Sequence, residues 1–315
     1  DDPPSALRAR LLRATGSAHL QAGDFEAAQS HLQQVLDIPG EDRSLSSTRA
    51  SAREMLAVVL SRRGRYEESV EQFSIARDEL ETVLGPEHPR VAKILGNLGS
   101  SLRQLGRLDE SEEAIRRAIE INTEINGPQA EGIATLLHNL GILQRSKGDE
   151  QAARQTLERS IELMVQHRGP DHPSVGWVRN DLGTLVFLGG DYERSLPHLR
   201  EAARIFELSQ GDQAPGLVFT MATLIQNHLA LEQPNQALPY VERGLAALEQ
   251  RTAEPAAAGS LRFACALALW DAGQRPRAVS LGRLALADMN SSQRPVETHI
   301  ETIGAWVTEH EAQVH

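Results

Sequence analysis

The sequence predicts an all-α fold, namely an α-solenoid of about seven helix pairs followed by a C-terminal capping helix. Three observations support this prediction: similar motifs recur about every 42 residues, apolar residues recur at helical spacing, and the composition is rich in Ala and Leu with only 4% aromatic residues. Helices that pack closely through small side chains suit this composition, whereas a β-sheet would need more β-branched and aromatic residues.

The repeat is defined by a glycine that is followed five residues later by a small residue. The small residues occupy positions 28, 69, 111, 153, 195, 237 and 278, so that successive copies lie 41 or 42 residues apart. This regularity predicts stacked units that bury a continuous core. The predicted repeats are residues 5–38, 46–84, 88–126, 130–168, 172–210, 214–250 and 256–290, with a terminal helix at 296–314, all within a single domain of residues 1–315.

Each repeat is predicted to contain two amphipathic helices. In the third repeat an apolar stripe runs at helical spacing from Val91 to Leu102 and ends before Gly106, where a second stripe begins. A glycine at this point ends the first helix. Because Gly99 and Ser111 are small, we expect the two helices of the pair to cross closely there.

Three segments depart from the repeat pattern. Residues 39–48 are predicted to form a polar loop between the first two repeats, and Ala253–Ala258 an Ala-rich link. The segment from Val296 to His315 follows Pro295 and carries Ile300, Ile303 and Val307. We expect it to form a helix that covers the end of the stack, as solenoids require.

Charge and composition exclude several classes of function. The net charge of −11 opposes a duplex nucleic-acid partner, which requires a positive surface. No run of eighteen apolar residues is present, so membrane insertion is not expected. With one cysteine the chain forms no intrachain disulfide, and we expect a cytoplasmic location.

The opening Asp1-Asp2-Pro3-Pro4 is neither a signal peptide nor an initiator methionine, so we expect the chain to be part of a longer polypeptide.

One stretch carries a family resemblance. Leu-Gly-Pro-Glu-His-Pro-Arg-Val-Ala at 84–92, followed by Asn97-Leu98-Gly99 and by Gly-Arg-Leu-Asp-Glu-Ser at 106–111, resembles the 42-residue tetratricopeptide repeat of the kinesin-light-chain type. Residues 7–25 are similar to the arrays that follow the kinase domain in bacterial serine/threonine kinases. The resemblance covers nearly the whole chain. It implies a right-handed superhelix in which the first helix of each pair lines a concave groove.

The resemblance also implies which side chains contact a partner in this groove. They are Asn97, Ser100, Arg103, His138, Asn139, Arg145, Trp177, Asn180, Asp181 and Gln226. Amides pair with the backbone of an extended peptide, and arginines bind carboxylates. The alternative for this wall is ordinary surface polarity with hydrogen bonds between neighbouring helices.

Basic residues cluster near the hinges of the early repeats. The cluster consists of Arg62, Arg63, Arg65, Arg103, Arg107, Arg145 and Lys147. If these residues form one positive strip, they favour an acidic or phosphorylated protein segment. The alternative is a set of solvated helix ends.

No catalytic, cofactor-binding or metal-binding residue is expected. His88 and His172 each stand alone before a proline, which favours packing or capping over metal binding. Cys265 occupies the apolar position that Leu98 holds in the third repeat, so we expect a buried structural thiol. The sequence contains neither a Gly-Lys-Ser/Thr phosphate loop nor a Gly-x-Ser-x-Gly motif.

These observations predict a non-catalytic scaffold that binds a peptide or protein segment in the groove. An alternative function is a regulatory or substrate-recruiting region of a larger bacterial signalling enzyme, such as a serine/threonine kinase. Self-assembly is a third possibility, so that a monomer or a weak homodimer is expected.

Overall fold

The structure is a computed structural model that describes residues 5–40, 43–211, 214–250, 254–292 and 296–314. Within these ranges the chain forms fifteen α-helices and no β-strand, which confirms the predicted all-α solenoid of helix pairs. The helices are α1 (Ser5–Ala22), α2 (Phe25–Leu36), α3 (Arg43–Arg62), α4 (Tyr66–Leu84), α5 (Pro89–Gln104), α6 (Leu108–Asn126), α7 (Glu131–Ser146), α8 (Glu150–Arg168), α9 (Pro173–Leu188), α10 (Tyr192–Gln210), α11 (Pro215–Ala230), α12 (Pro234–Gln250), α13 (Pro255–Asp271), α14 (Arg275–Ser291) and α15 (Glu297–Glu311).

The chain divides into two compact units, residues 1–163 and 164–315, with the boundary inside α8. In the first unit α1, α3, α5 and α7 pack side by side as a first-helix layer, and α2, α4 and α6 pack against them as a second-helix layer. In the second unit the first-helix layer is α9, α11 and α13, and the second-helix layer is α10, α12 and α14.

A close helix crossing holds each pair together. In the third pair the Ser111 hydroxyl donates a hydrogen bond to the Gly99 carbonyl at 2.6 Å. A Cβ atom on Gly99 would lie 2.5 Å from Ile115 Cγ1, so glycine is required at this crossing. The same bond, over the same separation, joins Ser69 to Ala57 and Ser195 to Gly183. The predicted role of the small residues is therefore confirmed.

The links between pairs are built from helix caps. His88 accepts a hydrogen bond from the Arg90 backbone N–H at 3.1 Å, and Pro89 occupies the first turn of α5, where its missing N–H has no cost. His172 accepts equivalently from the Ser174 N–H at 3.2 Å at the start of α9. These bonds confirm the capping role expected for the two histidines.

The terminal helix α15 covers the last described pair. Ile303 and Val307 are buried against Ala285 and Met289 of α14. The Trp306 ring lies against Gly282, where a Cβ atom would be 2.7 Å from Cζ3. Burying this apolar face removes an exposed end from the second unit.

Two predicted irregular segments are partly helical. The loop expected at 39–48 ends early, because α3 begins at Arg43 and buries Leu45 and Thr48 at helical spacing. Likewise Pro255 starts α13, so the Ala-rich link expected at Ala253–Ala258 is helical from that proline onward. Alanine is the best helix former, and proline suits the first turn. Residues 41–42 and 251–253 lie outside the described residues.

Candidate functional site

The residues predicted to contact a partner in the first unit lie on two neighbouring first helices. Asn97, Ser100 and Arg103 are half-buried on α5, and His138, Asn139 and Arg145 are half-buried on α7. Because α5 and α7 pack side by side, the structure brings these two sets together in one layer.

A cleft of about 280 Å³ lies between α5 and α7. Its polar lining includes Lys93, Asn97, Asn122, Thr135 and Asn139. The Asn139 side-chain N–H donates to the Gly96 carbonyl of α5 at 3.4 Å, so this amide also joins the two helices. The cleft can therefore offer amides to an extended backbone.

Two glycines, Gly96 and Gly132, allow the close approaches that shape this cleft. Asn122, which also lines it, was not among the residues predicted from the sequence. A Cβ atom on Gly96 would lie 2.5 Å from Leu136 Cδ2, and one on Gly132 would lie 2.9 Å from Asn122 Oδ1. Asn122 belongs to the second helix α6, whereas the resemblance implied a groove lined by the first helix of each pair. The nearby Gly132 in the first turn of α7 is the sequence signal that would have indicated a close approach there.

Ser100 and the two arginines have additional local roles. The Ser100 hydroxyl donates to the Gly96 carbonyl of its own helix at 3.2 Å. Arg103 and Arg145 lie in the last turns of α5 and α7, where a positive charge complements the helix dipole.

The basic strip predicted at the hinges is in large part a run of ion pairs. Arg63 bonds to Glu26 at 2.9 Å, Arg65 to Glu68, Arg107 to Glu110, and Lys147 to Asp109 and Glu112. The bonds to Lys147 raise its pKa and lower the pKa of both carboxyl groups. At these four positions the alternative, solvated helix ends with local partners, describes the structure better than a positive strip.

In the first unit, acidic residues are few in the first-helix layer and concentrated in helices α4 and α6 of the second-helix layer. The first helices α1 and α5 contain no Asp or Glu, and α3 and α7 contain one each, Glu54 and Glu131. Glu54 is itself bound by Lys93 at 2.7 Å. In contrast, α4 and α6 each carry six carboxylates. The first-helix layer is therefore basic on a chain whose net charge is −11.

In the second unit one predicted contact residue is buried. Asn180 is 6% exposed, and its Oδ1 accepts a hydrogen bond from the Thr220 hydroxyl of α11 at 2.9 Å. Its amide oxygen is satisfied within the fold, so Asn180 joins α9 to α11. This is the helix-to-helix bonding that was the alternative for the groove wall.

The other predicted residues of the second unit are more accessible. Trp177 is half-buried, and its ring centroid lies 5.1 Å from that of Phe206 and 6.1 Å from that of Phe219, which is 47% exposed. Gln226 is exposed and lines a cleft of about 200 Å³ with Phe263 and His299. Asp181 is half-buried one residue after Asn180.

The cysteine has a structural explanation. Cys265 is fully buried, and burial raises the pKa of its thiol to about 12, which confirms the predicted structural role. Within the described ranges, no three His, Cys, Asp or Glu side chains are placed to hold a metal ion. Nor is any described helix both long and apolar enough to cross a lipid bilayer.

Comparison with protein families places a repeat on much of the first unit. Models of the tetratricopeptide repeat match residues 13–79, 48–123 and 90–164. None of the curated protein sequences matches the chain significantly.

Solved structures share the fold at low sequence identity. The apo form of RapI aligns with a TM-score of 0.64 and 14% identity over 90% of this chain and 97% of that chain. A Rap protein complexed with Competence and Sporulation Factor aligns with a TM-score of 0.60 and 13% identity over 97% and 98%. A kinesin light chain of Podosopora anserina with nearly identical TPR-like repeats aligns with a TM-score of 0.54 and 19% identity over 66% and 99%.

Proposed function

We propose that this tetratricopeptide-repeat protein, whose matched repeats span residues 13–164, binds an extended acidic peptide along the first-helix layer of residues 5–163. Proteins of this family are interaction scaffolds rather than catalysts. The partner would be a protein segment with several Asp, Glu or phosphorylated side chains.

One observation carries this proposal: the separation of charge between the two helix layers. Arg103 and Arg145 are 42 residues apart at the ends of neighbouring first helices, and the amides of Asn97 and Asn139 line the cleft between these helices. Arginine binds carboxylate and phosphate groups strongly, while amides bind backbone groups. A Rap protein of the same fold, solved in complex with Competence and Sporulation Factor, is a precedent for ligand binding by this architecture.

The test is a peptide array scored by fluorescence with the labelled chain. Each acidic twelve-residue peptide has a partner in which Gln and Asn replace Glu and Asp. We expect acidic peptides to be retained and their neutral partners not, with affinity that falls as salt rises, because charge drives the association.

A quadruple variant then tests the location. Replacing Asn97, Asn139, Arg103 and Arg145 with alanine removes contacts worth on the order of 1 kcal/mol each, so affinity for a retained peptide should fall about a hundredfold or more. The matched control is Arg116→Ala with Arg154→Ala, which removes two arginines from the second helices α6 and α8. An equal loss in both variants would show a non-specific charge effect and contradict the proposal.

A second candidate function is favoured by residues 7–25, which resemble arrays found in bacterial serine/threonine kinases. In this case the repeats recruit a substrate or regulate an enzyme located in the cytoplasm. The coding sequence upstream of Asp1 tests it: a kinase Gly-rich loop with a His-Arg-Asp motif supports this role, and their absence contradicts it.

A further inference from the structure

The sixth helix pair, α11 and α12, differs from its neighbours at the hinge. Glu232 adopts a positive φ of 56°, and it is the one described non-glycine residue that does so. The corresponding hinge residues of the other six pairs are Gly23, Gly64, Gly106, Gly148, Gly190 and Gly273, all with positive φ. A side chain in this left-handed region is strained, so the sixth hinge is less stable than a glycine hinge.

The same pair buries two adjacent polar residues, Asn227 and His228, which are 0% and 1% exposed. They precede the small residue of their repeat by ten and nine positions. The equivalent residues of the second to fifth and of the seventh repeats are Val59 and Leu60, Ser101 and Leu102, Leu143 and Gln144, Leu185 and Val186, and Ala268 and Leu269. In the first repeat the second position is His19, which is partly exposed and lies 3.2 Å from Asp24. His228 therefore occupies a position that is apolar in most other pairs.

The polar side-chain atoms of these two residues make no hydrogen bond of good geometry to a described residue. Among the described residues, no hydrogen-bond partner has suitable geometry for either side-chain polar atom of Asn227 or for either ring nitrogen of His228. The His228 ring stacks on Tyr240 of α12, with centroids 5.4 Å apart. A buried polar group without a partner costs stability.

The charged and titratable groups near His228 oppose its protonation. Burial is the main cause that lowers its pKa and Arg200 of α10 lowers it further, whereas hydrogen bonding with the nearby Gln233 side chain raises it. The Arg200 guanidinium also donates to the Tyr240 hydroxyl at 3.2 Å. None of the described carboxylates contributes to this pKa, so an imidazolium at this position would lack a counter-ion.

The direction of the resulting pH effect is determined by this arrangement. The pKa of His228 is lower in the folded chain than its ordinary value of 6.5 in the unfolded chain. Below pH 6.5 the unfolded chain therefore binds a proton that the folded chain does not, and stability decreases as the pH falls. Local opening of the sixth pair is favoured in the same way, because opening gives the ring access to water.

We propose that the α11–α12 pair is an acid-sensitive element of residues 164–315, which opens locally when His228 is protonated. The observations that carry the proposal are the fully buried imidazole, which makes no hydrogen bond of good geometry to a described residue, and the strained hinge at Glu232, both in one helix pair. Mild acid then loosens this pair before α13–α14, whose two helices pack against each other more extensively.

Hydrogen–deuterium exchange of the full chain, read by mass spectrometry at pH 7.5 and 5.5 and corrected for intrinsic exchange rates, tests the proposal. We expect protection of α11 and α12 to fall at pH 5.5 by more than that of α13 and α14. His228→Leu, which introduces the residue of three other repeats, should abolish the additional fall. His228→Gln, which introduces the residue of the fourth repeat, should do the same and covers the case in which leucine packs poorly.

Two further variants distinguish an effect of His228 protonation from a generally low stability of the sixth pair. His299→Gln removes an exposed histidine of α15 and should leave the fall unchanged. Glu232→Gly should raise protection of the sixth pair at both pH values without removing the pH dependence. A uniform loss of protection across the second unit, or an additional fall that persists in both His228 variants, would overturn the proposal.

Discussion

The Thr220 hydroxyl donates a hydrogen bond to Asn180 Oδ1 at 2.9 Å, and both side chains are buried between α9 and α11. The bond joins the first helices of two successive pairs, so an asparagine that resembles a ligand-binding residue in sequence contributes to the fold. We expect Asn180→Ala to lower the free energy of unfolding by about 1 kcal/mol, the usual effect of losing one such bond. Urea denaturation measures this change, with Thr223→Ala as a half-buried control. Unchanged stability together with lost peptide binding would contradict the structural role of Asn180.

The Phe206 ring lies between Gly176 and Gly216, and both glycines are needed for its position. A Cβ atom on Gly176 would lie 2.9 Å from Phe206 Cε1, and one on Gly216 would overlap the opposite edge of the ring. We expect Gly216→Ala to destabilise the protein by about 1–3 kcal/mol, since overpacking outweighs the ~1 kcal/mol gain in helix propensity.

A double-mutant cycle with Phe206→Leu checks the cause of this effect. If the ring is the obstacle, Gly216→Ala should cost less in the Phe206→Leu background, and thermal unfolding would show strong coupling. Additive effects would mean that the strain arises elsewhere.

The bonds of Lys147 to Asp109 and Glu112 predict a contribution to acid stability. Both carboxyl groups have a lower pKa in the folded chain because Lys147 bonds to them, so their stabilisation is present above their ordinary pKa values of 3.8 and 4.5 and is lost as the pH falls below these values. Lys147→Met should therefore reduce stability at pH 7 slightly and flatten its decrease towards pH 3. Unfolding midpoints measured across this range test the prediction, and parallel curves for the two proteins would refute it.

The Cys265 thiol should be unreactive in the native protein. It is fully buried with a pKa of about 12, so almost no thiolate forms at neutral pH and reagents cannot reach the sulfur. A disulfide reagent that reports thiols by absorbance should label it only in denaturant. Rapid labelling of the native chain would show that α13 opens readily.

Much of the fold could be predicted because the repeat imposes its own positions. Ser111, Gly99 and Gly106 fall at fixed offsets, and each position has one physical requirement, either small size or left-handed backbone. The segment at 39–48 was harder to predict, since its polar residues conceal the helical spacing of Leu45 and Thr48.

The candidate site was less predictable for two physical reasons. Position in the repeat identifies residues on the first helices but not their exposure, so Asn97 and Asn139 line a cleft whereas Asn180 is buried. Ion pairs between residues distant in sequence, such as Lys147 with Asp109, depend on the stacking of helices and have no local sequence signal. Both outcomes require the packed structure.

The separation of charge between helix layers has a consequence for how molecules meet in solution. Residues 5–163 carry a transverse dipole, positive through α3 and α5 and negative through α4 and α6. Copies that approach with like layers facing each other repel, whereas opposite layers attract over the ~10 Å Debye length at 0.1 M salt. At low ionic strength, attraction or repulsion between two copies therefore depends on which layers face each other. A chain of net charge −11 can attract its own copies when the first-helix layer of one faces the second-helix layer of another.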